Sequence, residues 1–341
     1  MRDFQTEFKK KRTIGQCICP ICQNNQSQCA IRATLFHNHA CYLVPKWYNI
    51  RFWASNLNVL YKLETNNTVS AGIINVTELN ILVLALVQGI TEFLPISSSG
   101  HLVLVPIFGG WPDQGLMMDV AVHIGTLGAV LIYFWRDIWF MLRGLIRFTK
   151  GKSDPGARLA FLVIFATIPV IVAGYFFNEY LGDRYRTIEV IGWTTLGFGV
   201  LLYISDKMGL TIRRVEHTGI VDALLIGLAQ CIALIPGTSR SGITITAARF
   251  LGYERIDAAR FSMLLSIPTI VGAGALKGWE LYKSGNVQLT NDAMTAAGLA
   301  FIAAFIALAI MMAWLRRASF TPFFIYRLCL GCILLYYAYF V

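Results

Sequence analysis

QGITEFLPISSSGH, residues 88–101, follows the apolar run 81–87, yet it holds a carboxylate, three serine hydroxyls and an imidazole within ten residues. Ionisable groups at membrane depth cost roughly 2.5–3.5 kcal/mol each on insertion scales, so they face a cavity or one another and mark a functional site. Gln88 and Glu92 stand at i and i+4, which places them on one helix face. The sequence predicts a helix over 79–94, interrupted at Gly89 and closed by Pro95. Ser97, Ser98, Ser99 and Gly100 then form a turn whose hydroxyls and N–H groups can meet a ligand.

Working outward, a second stretch repeats the pattern. Residues 230–242 read QCIALIPGTSRSG, and Gln88, Ile90, Ser97, Ser99 and Gly100 match Gln230, Ile232, Ser239, Ser241 and Gly242. Glu92 aligns with Leu234, Ser98 with Arg240 and His101 with Ile243. One copy supplies acid, hydroxyl and imidazole; the other supplies a guanidinium. Matching interrupted apolar segments in two halves of a membrane protein point to a site at the repeat interface near the bilayer midplane. The expected architecture is an all-α polytopic integral membrane protein, with two interrupted re-entrant helix pairs related by an inverted internal repeat.

Composition agrees. The 341 residues are 56% hydrophobic and 14% charged, with apolar runs long enough to cross a bilayer. The formal charge of +10 is not a nucleic-acid signature. Residues 1–75 hold nine Lys/Arg and three Asp/Glu, so the remainder has 29−9 = 20 basic and 19−3 = 16 acidic residues, a net of +4. That excess follows topology. The segments 143–158, 207–214 and 316–317 carry five, three and two Lys/Arg, against two in 178–186 and one in 282–292. The positive-inside rule puts the first set in the cytoplasm. Full spans are expected over 117–142, with Trp135, Arg136 and Asp137 as its boundary, and over 159–177, 187–204, 261–281, 293–315 and 321–341.

Residues 1–75 differ in kind from 76–341, which form the membrane-embedded part. Cys17, Cys19, Cys22, Cys29 and Cys41 with His37 and His39 offer zinc ligands, but the spacing is irregular and lacks a paired CxxC. The expectation is a poorly ordered extension or a start-site artefact, Val76 being the true start if its codon is an alternative initiator. Cys231, Cys329 and Cys332 lie in apolar runs and make no persuasive disulfide.

The chemistry follows from residue types. In Gly237, Thr238, Ser239, Arg240, Ser241 and Gly242, glycines relax the backbone, hydroxyls donate, and the following helix start offers N–H groups and a positive dipole end. Arg240 adds a fork suited to phosphate. Serines and glycines alone would read as a helix–helix contact; Arg240 and the matching first copy, with Ser97 and Ser99, favour anion binding. Glu92 beside an anion cradle implies an intervening hard cation, Mg²⁺ or Ca²⁺, with Gln88 as a second oxygen ligand. Ser98 is a nucleophile candidate and His101 a proton carrier, while His123 reads as structural.

At these residues the chain resembles the bacterial undecaprenyl-diphosphatases, the bacitracin-resistance type of integral membrane phosphatase. QGITEFLPISSSGH and PGTSRSGITIT are similar to its two signature motifs, and Arg260-Phe261-Ser262, Ser266-Ile267-Pro268 and Tyr326-Arg327 extend the likeness over 76–341. The resemblance implies hydrolysis of undecaprenyl diphosphate to the monophosphate and phosphate, dependence on a divalent cation, and a site facing the periplasm from the bacterial inner membrane. It implies catalytic roles for Glu92, Ser98, His101 and Arg240. Gln88 stands at the first position of a Glu/Gln-x-x-x-Glu motif, where Gln brings one formal charge fewer to a metal. The implied partners are a polyprenyl diphosphate and membrane lipids, with no nucleic acid; a homodimer is compatible. The rival is a lipid transporter, which needs the anion cradle but not a hydroxyl and an imidazole beside a carboxylate. A purely structural scaffold leaves the buried charges unexplained.

Overall fold

The computed structural model describes residues 76–109, 115–180, 187–208, 212–283 and 291–340. The expectations for 1–75, zinc site and start included, lie outside the described residues. Those residues fold into eleven α-helices: α1 (Val76–Phe93), α2 (Ser98–Gly109), α3 (Gly115–Tyr133), α4 (Trp135–Phe148), α5 (Pro155–Tyr180), α6 (Ile188–Met208), α7 (Ile220–Cys231), α8 (Arg240–Phe250), α9 (Arg255–Lys283), α10 (Asn291–Leu315) and α11 (Thr321–Phe340). No strand occurs among them. Local chemistry sets several starts. Pro155 occupies the first position of α5, and the Asp154 carboxylate accepts from the Gly156 N–H at 2.8 Å. Thr187 caps α6 through the Val190 N–H.

Five helices are long and apolar enough to span a bilayer: α5, α6, α9, α10 and α11. Their outer faces carry large apolar side chains such as Ile164, Ile168, Trp193, Ile302 and Ile333. This is a multi-pass membrane protein. The expected span over 117–142 is instead two helices, α3 and α4, bent by 77° at Phe134. Charge explains the break. Arg136, Asp137, Arg143 and Arg147 lie on α4 beside exposed Trp135 and Trp139, a composition suited to the lipid–water boundary.

Two groups of helices meet around the turns. Helix α10 packs on α1 and α3, α11 lies along α6, and α8 contacts α6, α7 and α9. The predicted interruption at Gly89 does not occur, because α1 runs unbroken to Phe93. Gly89 is a packing residue. A Cβ there would stand 2.6 Å from the Ala303 Cβ and 2.7 Å from the Ala300 carbonyl oxygen, so glycine permits the close approach of α10. Away from the turns, buried Asp206 accepts from Arg255 at 2.7 Å and pairs with buried Arg249 at 3.4 Å. Its other oxygen accepts from the Phe320 N–H, which ties α6, α8 and α9 to the start of α11.

Candidate active site

The two repeated stretches form two turns of the same construction. Ser97 and Ser239 are the non-glycine residues with positive φ among those described, at 80° and 72°. Each such residue costs on the order of 1–3 kcal/mol unless the surroundings hold it. Here the hydroxyls hold it. Ser97 Oγ accepts from the Gly100 N–H at 3.3 Å and Ser239 Oγ from the Gly242 N–H at 3.1 Å, each capping the helix that follows. Each also contacts the serine two residues on, Ser99 at 3.4 Å and Ser241 at 3.2 Å. The repeat therefore extends from sequence to hydrogen bonds.

The turns lock together. Ser241 Oγ donates to the Leu94 carbonyl at 3.0 Å, crossing from the second turn to the first. The fully buried Arg327 guanidinium donates to five backbone carbonyls: Pro95 of the first turn, Gly237 and Thr238 of the second, and Thr194 and Thr195 of α6. Thr194 Oγ1 adds a bond to the Pro236 carbonyl at 2.7 Å. A buried guanidinium needs this many acceptors to offset its lost hydration.

At the centre is the Glu92 carboxylate, which is almost fully buried. Its Oε1 accepts from Arg240 Nη2 at 2.8 Å. Its Oε2 accepts from Ser98 Oγ at 2.7 Å and from Gln88 Nε2 at 2.9 Å. Acid from α1, hydroxyl from α2 and guanidinium from α8 thus share one carboxylate. Two buried polar atoms on these same side chains, Gln88 Oε1 and Arg240 Nη1, have no partner among the described residues. Buried polar atoms are nearly always paired, so these are an acceptor and a donor that a ligand can use.

His101 sits on α2, one turn beyond the serines. Its Nδ1 donates to the Ser97 carbonyl at 2.6 Å, and its Nε2 lies 2.5 Å from the Tyr326 hydroxyl on α11. His123 Nδ1 lies 2.6 Å from the carbonyl of Asp119 on its own helix.

A family model described as bacitracin resistance protein BacA matches residues 81–333, the stretch holding both turns and Arg327. The chain belongs to that family. Undecaprenyl-diphosphatase 1 of Rhodospirillum rubrum is 55% identical over 268 residues, covering 76% of this chain and 95% of the relative. The undecaprenyl-diphosphatase of Jannaschia sp. is 55% identical over 262 residues, covering 76% and 98%. That of Hahella chejuensis is 48% identical over 264 residues, covering 77% and 99%.

Against this family background, the sequence-predicted residues fall into two groups. Gln88, Glu92, Ser98 and Arg240 meet through hydrogen bonds. The hydroxyls of Ser97, Ser239 and Ser241 are engaged with the chain itself, holding the turns. Ser99 is exposed, and Thr238 Oγ1 is buried with no partner among the described residues. No bond joins Ser98 to His101; the serine proton points at Glu92 and the imidazole at Tyr326. Residue types alone pointed to neither Thr194, Thr195 nor the clamp made by Arg327. The usable signal was an arginine inside the apolar run 321–341, which must be buried with partners.

Proposed function

We propose that this protein hydrolyses undecaprenyl diphosphate to undecaprenyl phosphate and phosphate, returning the lipid carrier to cell-wall synthesis and conferring bacitracin resistance. The relatives named undecaprenyl-diphosphatase support the substrate. The observation that carries the chemistry is Ser98 Oγ, bonded at 2.7 Å to a carboxylate whose other oxygen is held by Arg240. A hydroxyl donating to a carboxylate is poised to lose its proton as it attacks.

The diphosphate binds Arg240, through the fork's free Nη1, and the N–H groups opening α2 and α8, where the dipoles favour an anion. Ser98 Oγ attacks the terminal phosphorus and passes its proton to Glu92. The new O–P bond forms as the bond to the bridging oxygen breaks, with the electron pair leaving on undecaprenyl phosphate. Water then attacks the phosphoserine and gives its proton to His101. As the Ser98 O–P bond breaks, its electron pair stays on Oγ, which takes back the proton held by Glu92, and phosphate departs.

Glu92 and Gln88 Oε1 are two oxygen donors on one helix face, and the second is buried and unpartnered. Among the described residues no group of three or more His, Cys, Asp or Glu forms a protein-only cage. That donor set fits a hard cation, and Glu92 and Gln88 would hold Mg²⁺ or Ca²⁺. When bound it neutralises phosphate charge beside Glu92. The two interrupted pairs are re-entrant, related by an inverted repeat, and open to the periplasmic side of the inner membrane. The prenyl chain lies along apolar surface, such as the groove lined by Ile171, Tyr175, Leu276 and Trp279.

Phosphate release by the purified protein in detergent, on undecaprenyl diphosphate with and without chelator, tests this reading. Cation-dependent release is expected. Its absence would favour a transporter, because transport has no meaning without compartments.

A further inference from the structure

Both ring nitrogens of His101 are engaged. The Ser97 carbonyl, 2.6 Å from Nδ1, can only accept, so Nδ1 carries the proton. When the ring is neutral its lone pair therefore lies at Nε2, and the Tyr326 hydroxyl, 2.5 Å away, is then the donor. The rings are also stacked, with centroids 5.7 Å apart and planes 14° apart. Tyr326 arrives from 225 residues away, and its place is fixed by its neighbour Arg327, which is anchored to carbonyls of both turns. Tyr326 is also 42% exposed, so its phenol links the imidazole to the surroundings of the site.

We propose that Tyr326 is a further catalytic residue acting with His101: it holds the neutral imidazole with Nε2 as acceptor and is the group through which that nitrogen exchanges its proton. This rests on the phosphatase reading, in which Ser98 gives its proton to Glu92 and His101 serves the second step. With Nδ1 committed to Ser97, a proton from the hydrolytic water reaches Nε2 by way of the phenol. Tyr326 passes its own proton to Nε2 as its oxygen takes one from the water, whose oxygen bonds to phosphorus while the Ser98 O–P bond breaks. The tyrosine begins and ends as a neutral phenol.

Tyr326→Phe keeps the stacked ring and removes only the hydroxyl. Expected is a fall in kcat of about tenfold to a hundredfold, within the range of lost proton-transfer assistance, with KM within about twofold and an unchanged melting temperature. Wild-type kcat in this variant, or a loss carried by KM alone, overturns the proposal. A second measurement is independent of turnover. In ¹⁵N-histidine NMR of the full protein, the His101 Nε2 resonance should move from that of a hydrogen-bonded acceptor to that of a free one in Tyr326→Phe. An unmoved resonance overturns the pairing. If wild-type protein releases no phosphate while the resonance moves, it is the phosphatase reading that fails and the pairing that stands.

Discussion

Arg240 and Glu92, 148 residues apart in the chain, meet at 2.8 Å between Nη2 and Oε1. Their side chains are only 15% and 6% exposed, so each is the other's main compensation for lost hydration. Breaking such a pair from one side costs about 3–5 kcal/mol. Arg240→Ala should therefore lower the melting temperature and reduce kcat/KM by at least about a hundredfold, the scale of losing one preorganised donor. Removing both charges in Arg240→Met with Glu92→Gln should recover much of the stability and none of the activity. If the double variant melts as low as Arg240→Ala, the pair is not what couples charge to stability here.

The Ser98 hydroxyl makes a sharper claim, because its bond runs to Glu92 and not to His101. Ser98→Ala should lower kcat by about a thousandfold or more, as for other nucleophile deletions, with little change in melting temperature because the side chain is only half-buried. Rapid-quench mass spectrometry of the wild type should find phosphate on the peptide containing Ser98. Glu92→Gln should slow formation of that phosphopeptide. Full turnover in Ser98→Ala would leave direct attack by water as the remaining route.

Much of this site was legible in the sequence, for a physical reason. In an apolar chain every polar residue has to be accounted for, so Gln88, Glu92, Ser98 and Arg240 stood out, and the repeat pointed to one site shared by the two stretches. It aligned Ser98 with Arg240 and did not mark the direct bond between Arg240 and Glu92. Side-chain direction was not legible. His101 lies three residues from Ser98, yet its two nitrogens turn to the Ser97 carbonyl and to Tyr326, and nothing in spacing marks Tyr326 among 14 tyrosines. Hydropathy read 117–142 as one span because apolar content does not register a bend; the charges on α4 held that information. Gly89 looked like a helix break and proved to be a contact with α10, a distinction that only the facing helix decides.

Arg327 supplies the next prediction. Its donors reach five carbonyls on two turns and one helix, including Pro95 Oat 3.2 Å and Gly237 O at 3.0 Å. Arg327→Met would strand those carbonyls in a buried setting, at a cost of at least about 3 kcal/mol. Lysine keeps the charge but lacks the planar fork. The expected order of melting temperature and of phosphate release is wild type, then Arg327→Lys, then Arg327→Met. Loss of activity with an unchanged melting temperature in both variants would mean that the guanidinium serves the substrate and does not hold the turns.

Gly237 tests whether the second turn tolerates any displacement. Its φ is +89°, and a Cβ would fall 2.1 Å from Thr194 Oγ1 and 2.7 Å from the Ile191 carbonyl oxygen. The first obstacle is a side chain that can be cut away; the second is backbone. Gly237→Ala must therefore push the turn off α6, carrying Arg240 with it and stretching the bond to Glu92. Displacements of about 1 Å at a reacting centre can cost a hundredfold in rate, so phosphate release should fall on that scale. Adding Thr194→Ala should not restore it, because the Ile191 carbonyl and the left-handed backbone both remain. Recovery in that double variant would show that the clash with Thr194 alone excludes a side chain at 237, and that the turn itself has room to move.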